Sequence, residues 1–137
     1  MTGERDPRLV EPPYPLQELL GMELTAWSAG AARVEMPLWE GVTNRQGLPH
    51  GGIHATLLDS AMGYAGCYTG DPDRRQMALT LSLTVNYLGQ PRGTRLIADA
   101  TVTGGGRKTY FAEGRLTDET GTLMATATGV FRYRTAR

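Results

Sequence analysis

The chain has 137 residues, enough for one domain with a substantial core but too few for two. Its 14 acidic and 14 basic residues balance, and the basic residues are scattered, so nothing indicates a nucleic-acid partner. The single cysteine, Cys67, excludes an intramolecular disulfide and a zinc site built from several cysteines.

Residues 1–15 contain four prolines and many charges, and we predict that they form a flexible or loosely docked tail ahead of a single domain over 16–137. They lack the order of basic, apolar and small residues that marks a signal peptide. No part of the sequence approaches the roughly 20 consecutive apolar residues of a membrane-spanning helix. We therefore expect a cytoplasmic protein that does not enter a membrane.

The first part of the domain is predicted to contain one short helix and two strands. Residues 16–20 suit a single helical turn that ends at Gly21. Residues 22–28 and 31–38 are predicted strands, and the second alternates polar with apolar side chains as a half-buried strand does. Residues 40–50, which contain glycines, Asn and Pro, are predicted to form a loop.

The segment from Gly51 to about Tyr68 has the apolar periodicity of a helix. The apolar positions are Ile53, Leu57, Ala61, Tyr64 and Tyr68, widened by Leu58, Met62 and Ala65. Because this helix is apolar almost all round, we expect it to be buried. Asp59 is its one carboxylate, which makes it a candidate general base or nucleophile.

The rest of the chain contains four predicted strands, over 77–88, 94–103, 107–117 and 122–133. In the first, alternation places Leu81, Leu83, Val85 and Tyr87 on one face and Thr80, Ser82, Thr84 and Asn86 on the other. Short glycine-containing turns join successive strands, which favours antiparallel pairing. The predicted fold is α+β, with an antiparallel sheet wrapped around a long central helix.

The start of the long helix is a candidate oxyanion site. The first amide groups of a helix have no intrahelical acceptor, and glycine at 51 and 52 leaves them open to a ligand oxygen. Gly51 and Asp59 are separated by about 12 Å of helical rise. One reacting atom cannot contact both on a single straight helix. Two antiparallel helices related by a two-fold axis can present both, so we predict a site built by two chains.

Other catalytic patterns fit less well. His50 and His54 have the i, i+4 spacing of zinc-binding helices, but Gly51 stands where the metalloprotease pattern has Glu, so no metal is expected. Ser60 lacks the Gly-x-Ser-x-Gly context of a serine hydrolase. The run Gly104–Thr109 lacks the spacing of a P-loop. Cys67 is interpreted as a packing residue.

The chain resembles the hotdog-fold thioesterases, in the PaaI-like branch of the 4-hydroxybenzoyl-CoA thioesterase superfamily. The resemblance extends from about residue 16 to the C-terminus. It rests on Asn44, the His50-Gly51-Gly52 helix start, Asp59 nine residues after His50, the strand Ala78–Leu88, Gly93, and the Gly106-Arg107 strand opening. Taken together, the spacing of these elements is more specific than any one of them.

The resemblance implies hydrolysis of an acyl-CoA thioester by a homodimer or a dimer of dimers. It implies that Gly51 donates its N–H to the thioester carbonyl and that Asp59 is the general base or nucleophile. Asn44 and Thr80 would position water or substrate. His50 would be a catalytic residue or, in the plainer interpretation, one that orients the loop by a hydrogen bond. The plainer interpretations are an ordinary strand threonine for Thr80 and a structural carboxylate for Asp59.

Substrate contacts are expected from several further residues. Leu58, Met62 and Ser82 would line the acyl pocket, and Gly52 would leave room for the thioester. Gly106, Arg107 and Lys108 would meet the phosphates of coenzyme A, unless the two cations are simply solvated. Phenylacetyl and medium-chain acyl groups are both compatible with the resemblance. Coenzyme A is part of the substrate, so no separate cofactor is expected.

Two other functions remain open at this stage. A non-catalytic acyl-CoA-binding module of the same fold has no reason to bury an acid beside the thioester, so Asp59 argues against it. A dehydratase or hydratase of the same fold would need a catalytic His with an acidic partner, and only His50 and His54 are available.

Overall fold

The computed structural model describes residues 6–134. These residues form two α-helices and six strands. A short 3-10 helix at Pro7–Leu9 precedes them, and another at Glu40–Val42 precedes the longer α-helix. The elements are α1 (Pro15–Leu20), β1 (Glu23–Ser28), β2 (Ala31–Pro37), α2 (Gly51–Ala65), β3 (Met77–Tyr87), β4 (Arg95–Gly105), β5 (Thr109–Asp118) and β6 (Leu123–Arg134). The outer parts of the predicted tail and the extreme C-terminus, 1–5 and 135–137, lie outside the described residues.

The six strands form one antiparallel sheet in the order β1-β2-β4-β5-β6-β3. The sheet wraps around α2, which contacts all six strands. This is the α+β hotdog architecture that the sequence predicted. Within residues 6–134, no helix is both long enough and apolar enough to span a bilayer.

The pairing of β3 differs from the expected succession of hairpins. β3 pairs with β6, and β4 pairs with β2, so the turn at 91–93 does not join neighbouring strands. The side chain of Asp118 at the end of β5 accepts hydrogen bonds from the amides of Arg92 (2.6 Å) and Gly93 (2.8 Å). This connection is therefore held against the β5–β6 turn instead of closing a hairpin.

A β-bulge changes the faces of β3. Thr80 pairs with Phe131 and Ser82 pairs with Val130, so Leu81 is an extra residue without a partner of its own. Before the bulge Thr80 faces α2, and after it Tyr87 also faces α2. Strict alternation would place these two side chains on opposite faces, as the sequence predicted. Bulges re-aim side chains in this way beside functional sites.

α2 begins as predicted at Gly51 but ends at Ala65, three residues before Tyr68. Side chains bind the carbonyl groups at its end. The Tyr110 hydroxyl donates to the carbonyls of Met62 and Gly63 at 3.0 Å, and the Trp27 indole donates to the Tyr64 carbonyl at 2.8 Å. The last carbonyls of a helix need donors from outside the helix, and here side chains of the sheet supply them.

The core lies between α2 and the inner face of the sheet. Its helix side consists of Leu57, Leu58, Ala61, Met62 and Ala65, all buried. A Cβ at Gly114 of β5 would lie only 3.0 Å from Leu58 Cδ2, so glycine lets the helix approach the sheet. Burying a Leu or Met side chain contributes about 1.5–3 kcal/mol, and this packing fixes the face that α2 turns away from the sheet.

Candidate active site

The first turn of α2 presents one free amide. The Gly52 N–H donates to Nδ1 of His50, the N-cap residue, at 2.9 Å, and the Ile53 N–H donates to the His50 carbonyl at 2.8 Å. Among residues 6–134 the Gly51 N–H has no acceptor. It therefore lies at the positive end of the helix dipole, available to an oxygen of a ligand. His50 acts as the cap that leaves this one amide open.

Asp59 and Thr80 are brought together by the packing of α2 on β3. The Thr80 hydroxyl donates to Oδ1 of Asp59 at 2.7 Å. Asp59 is half-buried in the middle of α2, and its Oδ2 accepts no hydrogen bond within residues 6–134. Because the Thr80 hydrogen is committed to Asp59, the Thr80 oxygen can accept a hydrogen bond from water or substrate.

Tyr87 ties the start of α2 to β3 and was not among the residues predicted for the site. Its hydroxyl donates to the carbonyl oxygen of Gly51 at 2.6 Å, and its ring meets the His54 ring edge-on at a centroid distance of 5.4 Å. Burial lowers the pKa of His54, which keeps this ring uncharged near neutral pH. The pattern Asn86-Tyr87-Leu88 marked a strand but carried no signal of this contact, which depends on the bulge.

A cavity of about 240 Å³ adjoins Asp59 and Thr80. Its walls are mainly apolar and aromatic, and include Trp27, Tyr64, Met77 and Phe131. Trp27 and Tyr64 meet edge-on with ring centroids 5.5 Å apart. We call this space the acyl cavity. A carboxylate at the edge of an apolar cavity is the arrangement expected where an ester or thioester is cleaved.

The predicted pocket residues Leu58 and Met62 do not line this cavity. Both are fully buried against the sheet. Ser82 pairs with Val130 and lies on the outer face of β3, where it borders a shallow depression with Thr84 and Phe111. The helical periodicity predicted that the Leu58 and Met62 side chains face the protein interior. It did not predict that they pack against the sheet instead of lining the cavity.

Asn44 organises the loop that leads into α2. Its Oδ1 accepts hydrogen bonds from the amides of Gln46 (2.8 Å) and Leu48 (3.2 Å), and its own amide donates to the Leu48 carbonyl at 2.7 Å. This is the local side-chain pattern for which Asn is favoured in turns. The side-chain NH₂ of Asn44 has no acceptor among residues 6–134, so it remains able to donate to a ligand.

Arg107 lies at the far end of α2 from Gly51. With Arg74, Tyr68 and Tyr133 it borders an open depression of about 330 Å³. Gly106 and Lys108 belong to the same β4–β5 turn, and the Lys108 carbonyl accepts from the Tyr133 amide at 2.9 Å. Two guanidinium groups beside two aromatic rings suit an anionic ligand with a flat ring. Within the described part of the chain, no cluster of three or more His, Cys, Asp or Glu side chains is arranged for a metal.

The two chemical groups of the site are far apart within one protomer. Gly51 and Asp59 are on one continuous helix, with about 12 Å of rise between them. Within residues 6–134 the outer edge of β3 pairs with no strand, and Leu79 and Leu81 on this strand are 51% and 57% exposed. Long apolar edge strands are usually covered in native proteins. Gly51 and Asp59 are thus well separated within the described chain, and the outer edge of β3 is uncovered.

Comparisons with known proteins show the family and the fold. Residues 46–125 match the family model described as the thioesterase superfamily. The chain is 28% identical over 109 residues to the 1,4-dihydroxy-2-naphthoyl-CoA hydrolase of Listeria monocytogenes, covering 80% of this chain and 87% of that protein.

Two solved structures share the fold. The BH2602 protein of Bacillus halodurans, solved with CoA, is 30% identical with a TM-score of 0.75, covering 90% of this chain and 78% of that one. The PaaI protein from the phenylacetic acid degradation operon of E. coli has a TM-score of 0.76 at 20% identity, covering 88% of this chain and 85% of that one. At that identity the PaaI match shows the fold alone.

Proposed function

This chain belongs to the thioesterase superfamily and is an enzyme of that family, and we propose that it hydrolyses an acyl-CoA thioester to a free acid and coenzyme A. The observation that carries the proposal is the Thr80–Asp59 hydrogen bond at the edge of the acyl cavity. A carboxylate fixed in this way keeps a second oxygen that accepts no hydrogen bond within residues 6–134 and is able to accept a proton. Because the solved Bacillus relative holds CoA, an acyl-CoA is the thioester we favour.

In the proposed reaction, Asp59 accepts a proton from a water molecule as that water attacks the thioester carbon. The carbonyl oxygen becomes negative and is stabilised by the Gly51 N–H at the start of a helix. When the intermediate collapses, the C–S bond breaks and the sulfur leaves as the CoA thiolate, which takes up the proton. The same residues allow direct attack by Asp59 followed by hydrolysis of the anhydride.

We propose that each active site uses Gly51 of one protomer and Asp59 of its partner. The supporting observations are the 12 Å separation along α2 and the uncovered edge of β3. Pairing two β3 edges around a two-fold axis covers Leu79 and Leu81 and lays the two α2 helices side by side in opposite directions. The start of one helix then faces the middle of the other. A dimer of dimers is compatible with this arrangement.

For coenzyme A, we propose that the phosphates bind at the depression bordered by Arg74 and Arg107, with Lys108 of the same turn nearby. A guanidinium fork and a point charge both stabilise phosphate oxygens. A Cβ at Gly106 would have no atom within 4 Å, so this turn is open to a ligand. The chemistry uses water and side chains, and coenzyme A leaves as a product, so the proposed reaction needs no further cofactor.

For the acyl group, we propose a small aromatic acid such as phenylacetate or a medium-chain fatty acid. A cavity of about 150 Å³ lined by apolar side chains holds benzene. The acyl cavity, at about 240 Å³, has room for a ring and a short linker, and its aromatic walls favour edge-on contacts with a ring.

The test is thiol release from a panel of aromatic and straight-chain acyl-CoAs, comparing the wild type with Asp59→Asn. General-base catalysis contributes about 10²–10⁴-fold, so Asp59→Asn is expected to lose at least about 100-fold in kcat. Asp73→Asn, in an exposed turn, is the matched control and should match the wild type.

Two results would contradict the proposal. If the wild type releases no thiol from any acyl-CoA while still binding them, the chain is a binding module. If Asp59→Asn is as fast as the wild type, the protein is a hydrolase whose base lies elsewhere.

A further inference from the structure

The segment that precedes α1 is fastened to the domain at several points. We call residues 6–14 the N-terminal strap. Leu9 is buried in the core, and Glu11 forms an ion pair with Arg75 at 3.2 Å. At the end of the strap, the Tyr14 amide donates to Oε1 of Gln17 at 3.0 Å. These contacts hold a proline-rich segment in one path across the protein.

Gln17 connects the strap to α2. Its Oε1 is occupied by the Tyr14 amide, so its Nε2 is the donor to the Tyr64 hydroxyl, at 2.9 Å. Gln17 is only 6% exposed, and a buried side-chain amide with both ends bonded has one orientation. The two hydrogen bonds of Gln17 therefore fix the strap next to the turn of α2 that contains Tyr64.

The strap forms part of the wall of the acyl cavity. Glu11 and Tyr14 line this cavity together with Trp27, Tyr64 and Asp59. Tyr64 lies five residues beyond Asp59 on α2, which corresponds to about 7.5 Å of rise away from the catalytic carboxylate. The strap therefore stands at the end of the cavity remote from the reaction.

A second hollow lies on the other side of this wall. It has a volume of about 380 Å³ and is bordered by Val10, Pro13, Met22 and Leu24, and it shares Glu11 and Tyr64 with the acyl cavity. Glu11 and Tyr64 thus border both spaces, whereas Tyr14 borders the acyl cavity alone. Shortening the Tyr14 side chain would lengthen the acyl cavity on the side of the strap.

We propose that the strap, through Tyr14, sets the longest acyl group that the enzyme accepts. The inference rests on the proposed hydrolysis of acyl-CoA. It assigns chain-length specificity to the strap, which lies outside the family match. The match over 46–125 contains the proposed catalytic residues Gly51 and Asp59. The expected substrates are acyl-CoAs whose acyl group has one ring or a medium-length chain. The Tyr14 ring would block longer chains.

The test is a profile of kcat/KM over straight-chain acyl-CoAs from butanoyl to hexadecanoyl. Tyr14→Ala is expected to move the optimum to longer chains, with about a tenfold gain for every two further methylenes that become buried. Tyr14→Phe keeps the ring and should keep the wild-type profile. Leu16→Ala changes an exposed side chain of the next turn that does not line the cavity, and is the matched control.

The outcomes separate the two proposals. A wild type that releases thiol from no acyl-CoA overturns the hydrolysis and the strap inference together. An active wild type whose chain-length profile is unchanged in Tyr14→Ala overturns the strap inference alone. If Tyr14→Ala does not fold, Tyr14→Leu, with a shorter but apolar side chain, must show the same shift, or the inference fails.

Discussion

The Thr80 hydroxyl donates a 2.7 Å hydrogen bond to Oδ1 of Asp59, and this bond joins the edge strand β3 to the middle of α2. It holds one carboxylate oxygen in place and leaves the other free. Because of the bulge at Leu81, Thr80 and Tyr87 both face α2. The position of the proposed base thus depends on an irregularity of the strand beside it.

Replacing Thr80 by valine should reduce kcat/KM by about tenfold or more, because a hydrogen bond to a charged group is worth about 1.5–3 kcal/mol. Thr80→Ser retains the hydroxyl and should stay close to the wild type. Thr84→Val is the control, since Thr84 lies on the outer face of the same strand. Steady-state kinetics on the best substrate of the panel measures all three. Equal activity of Thr80→Val and Thr84→Val would exclude a role for the bond.

Gly51→Pro should remove the oxyanion donor while preserving the helix. Proline is favoured at the first helical position, and the preceding residue, His50, is already extended, with φ −61° and ψ 137°. Loss of one such donor costs about 2.7–4 kcal/mol of transition-state stabilisation, so kcat should fall by about 10²–10³-fold.

Gly51→Ala is the control for this substitution. It keeps the N–H and adds a Cβ about 3.4 Å from the Tyr87 hydroxyl, so it should lose much less activity than the proline variant. A Gly51→Pro enzyme with wild-type kcat, folded by circular dichroism, would remove this amide from the mechanism.

Mixed dimers test whether the site is shared. Asp59→Asn and Gly51→Pro protomers are each expected to form inactive homodimers. Unfolding and refolding an equal mixture should restore about a quarter of the wild-type activity, since half of the dimers are mixed and one of their two sites then has both residues intact. If both residues act within one chain, no mixed dimer has an intact site and activity stays at the level of the parents.

Asp118 is predicted to be a determinant of stability rather than of activity. It is 2% exposed and accepts hydrogen bonds from the Thr120 hydroxyl (2.6 Å) and from the amides of Arg92, Gly93, Thr120 and Thr122. These bonds, led by that from Thr120, hold the pKa of this carboxyl well below its usual range. Asp118→Asn should lower the free energy of unfolding near neutral pH, because its NH₂ would face amide donors.

The pH dependence of that difference follows from the direction of the shift. A carboxyl whose pKa is lowered by folding stabilises the folded state above its unfolded pKa of about 3.9, and this contribution is lost as the pH falls towards the folded value. Urea unfolding should therefore show a large difference between wild type and Asp118→Asn near neutral pH and a smaller one at about pH 3. A difference that stays constant over this range would contradict the assignment. Asp73→Asn, in an exposed turn, is the control and should follow the wild type.

Local patterns predicted the elements well. β3 to β6 begin and end within two residues of the predicted strands, because alternation and glycine turns are short-range signals. His50-Gly51-Gly52 located the start of α2, and the pairing of Asp59 with Thr80 agrees with the positions that the family resemblance singled out.

Contacts between residues that are far apart in the sequence could not be predicted. Nothing in the alternation of 77–88 reveals that Leu81 is a bulge or that β6 is the partner strand. Asp118 stands in an ordinary turn sequence, Asp-Glu-Thr-Gly, and its bonds to residues 92 and 93 arise only when two distant turns meet. The apolar stripe of α2 likewise did not separate Leu58, which faces the sheet, from the side that carries Asp59.

The strand order also governs when the enzyme becomes competent during its synthesis. Among the strands of residues 6–134, β3 pairs with β6 alone, and β6 follows the other five strands in the sequence. Thr80 therefore has no fixed position beside Asp59 until residues 123–134 have emerged from the ribosome. A nascent chain that ends before residue 123 leaves both edges of the apolar strand β3 unpaired. Such unpaired edges promote aggregation. The same late pairing makes catalytic activity a sensitive report of whether the C-terminal strand has docked.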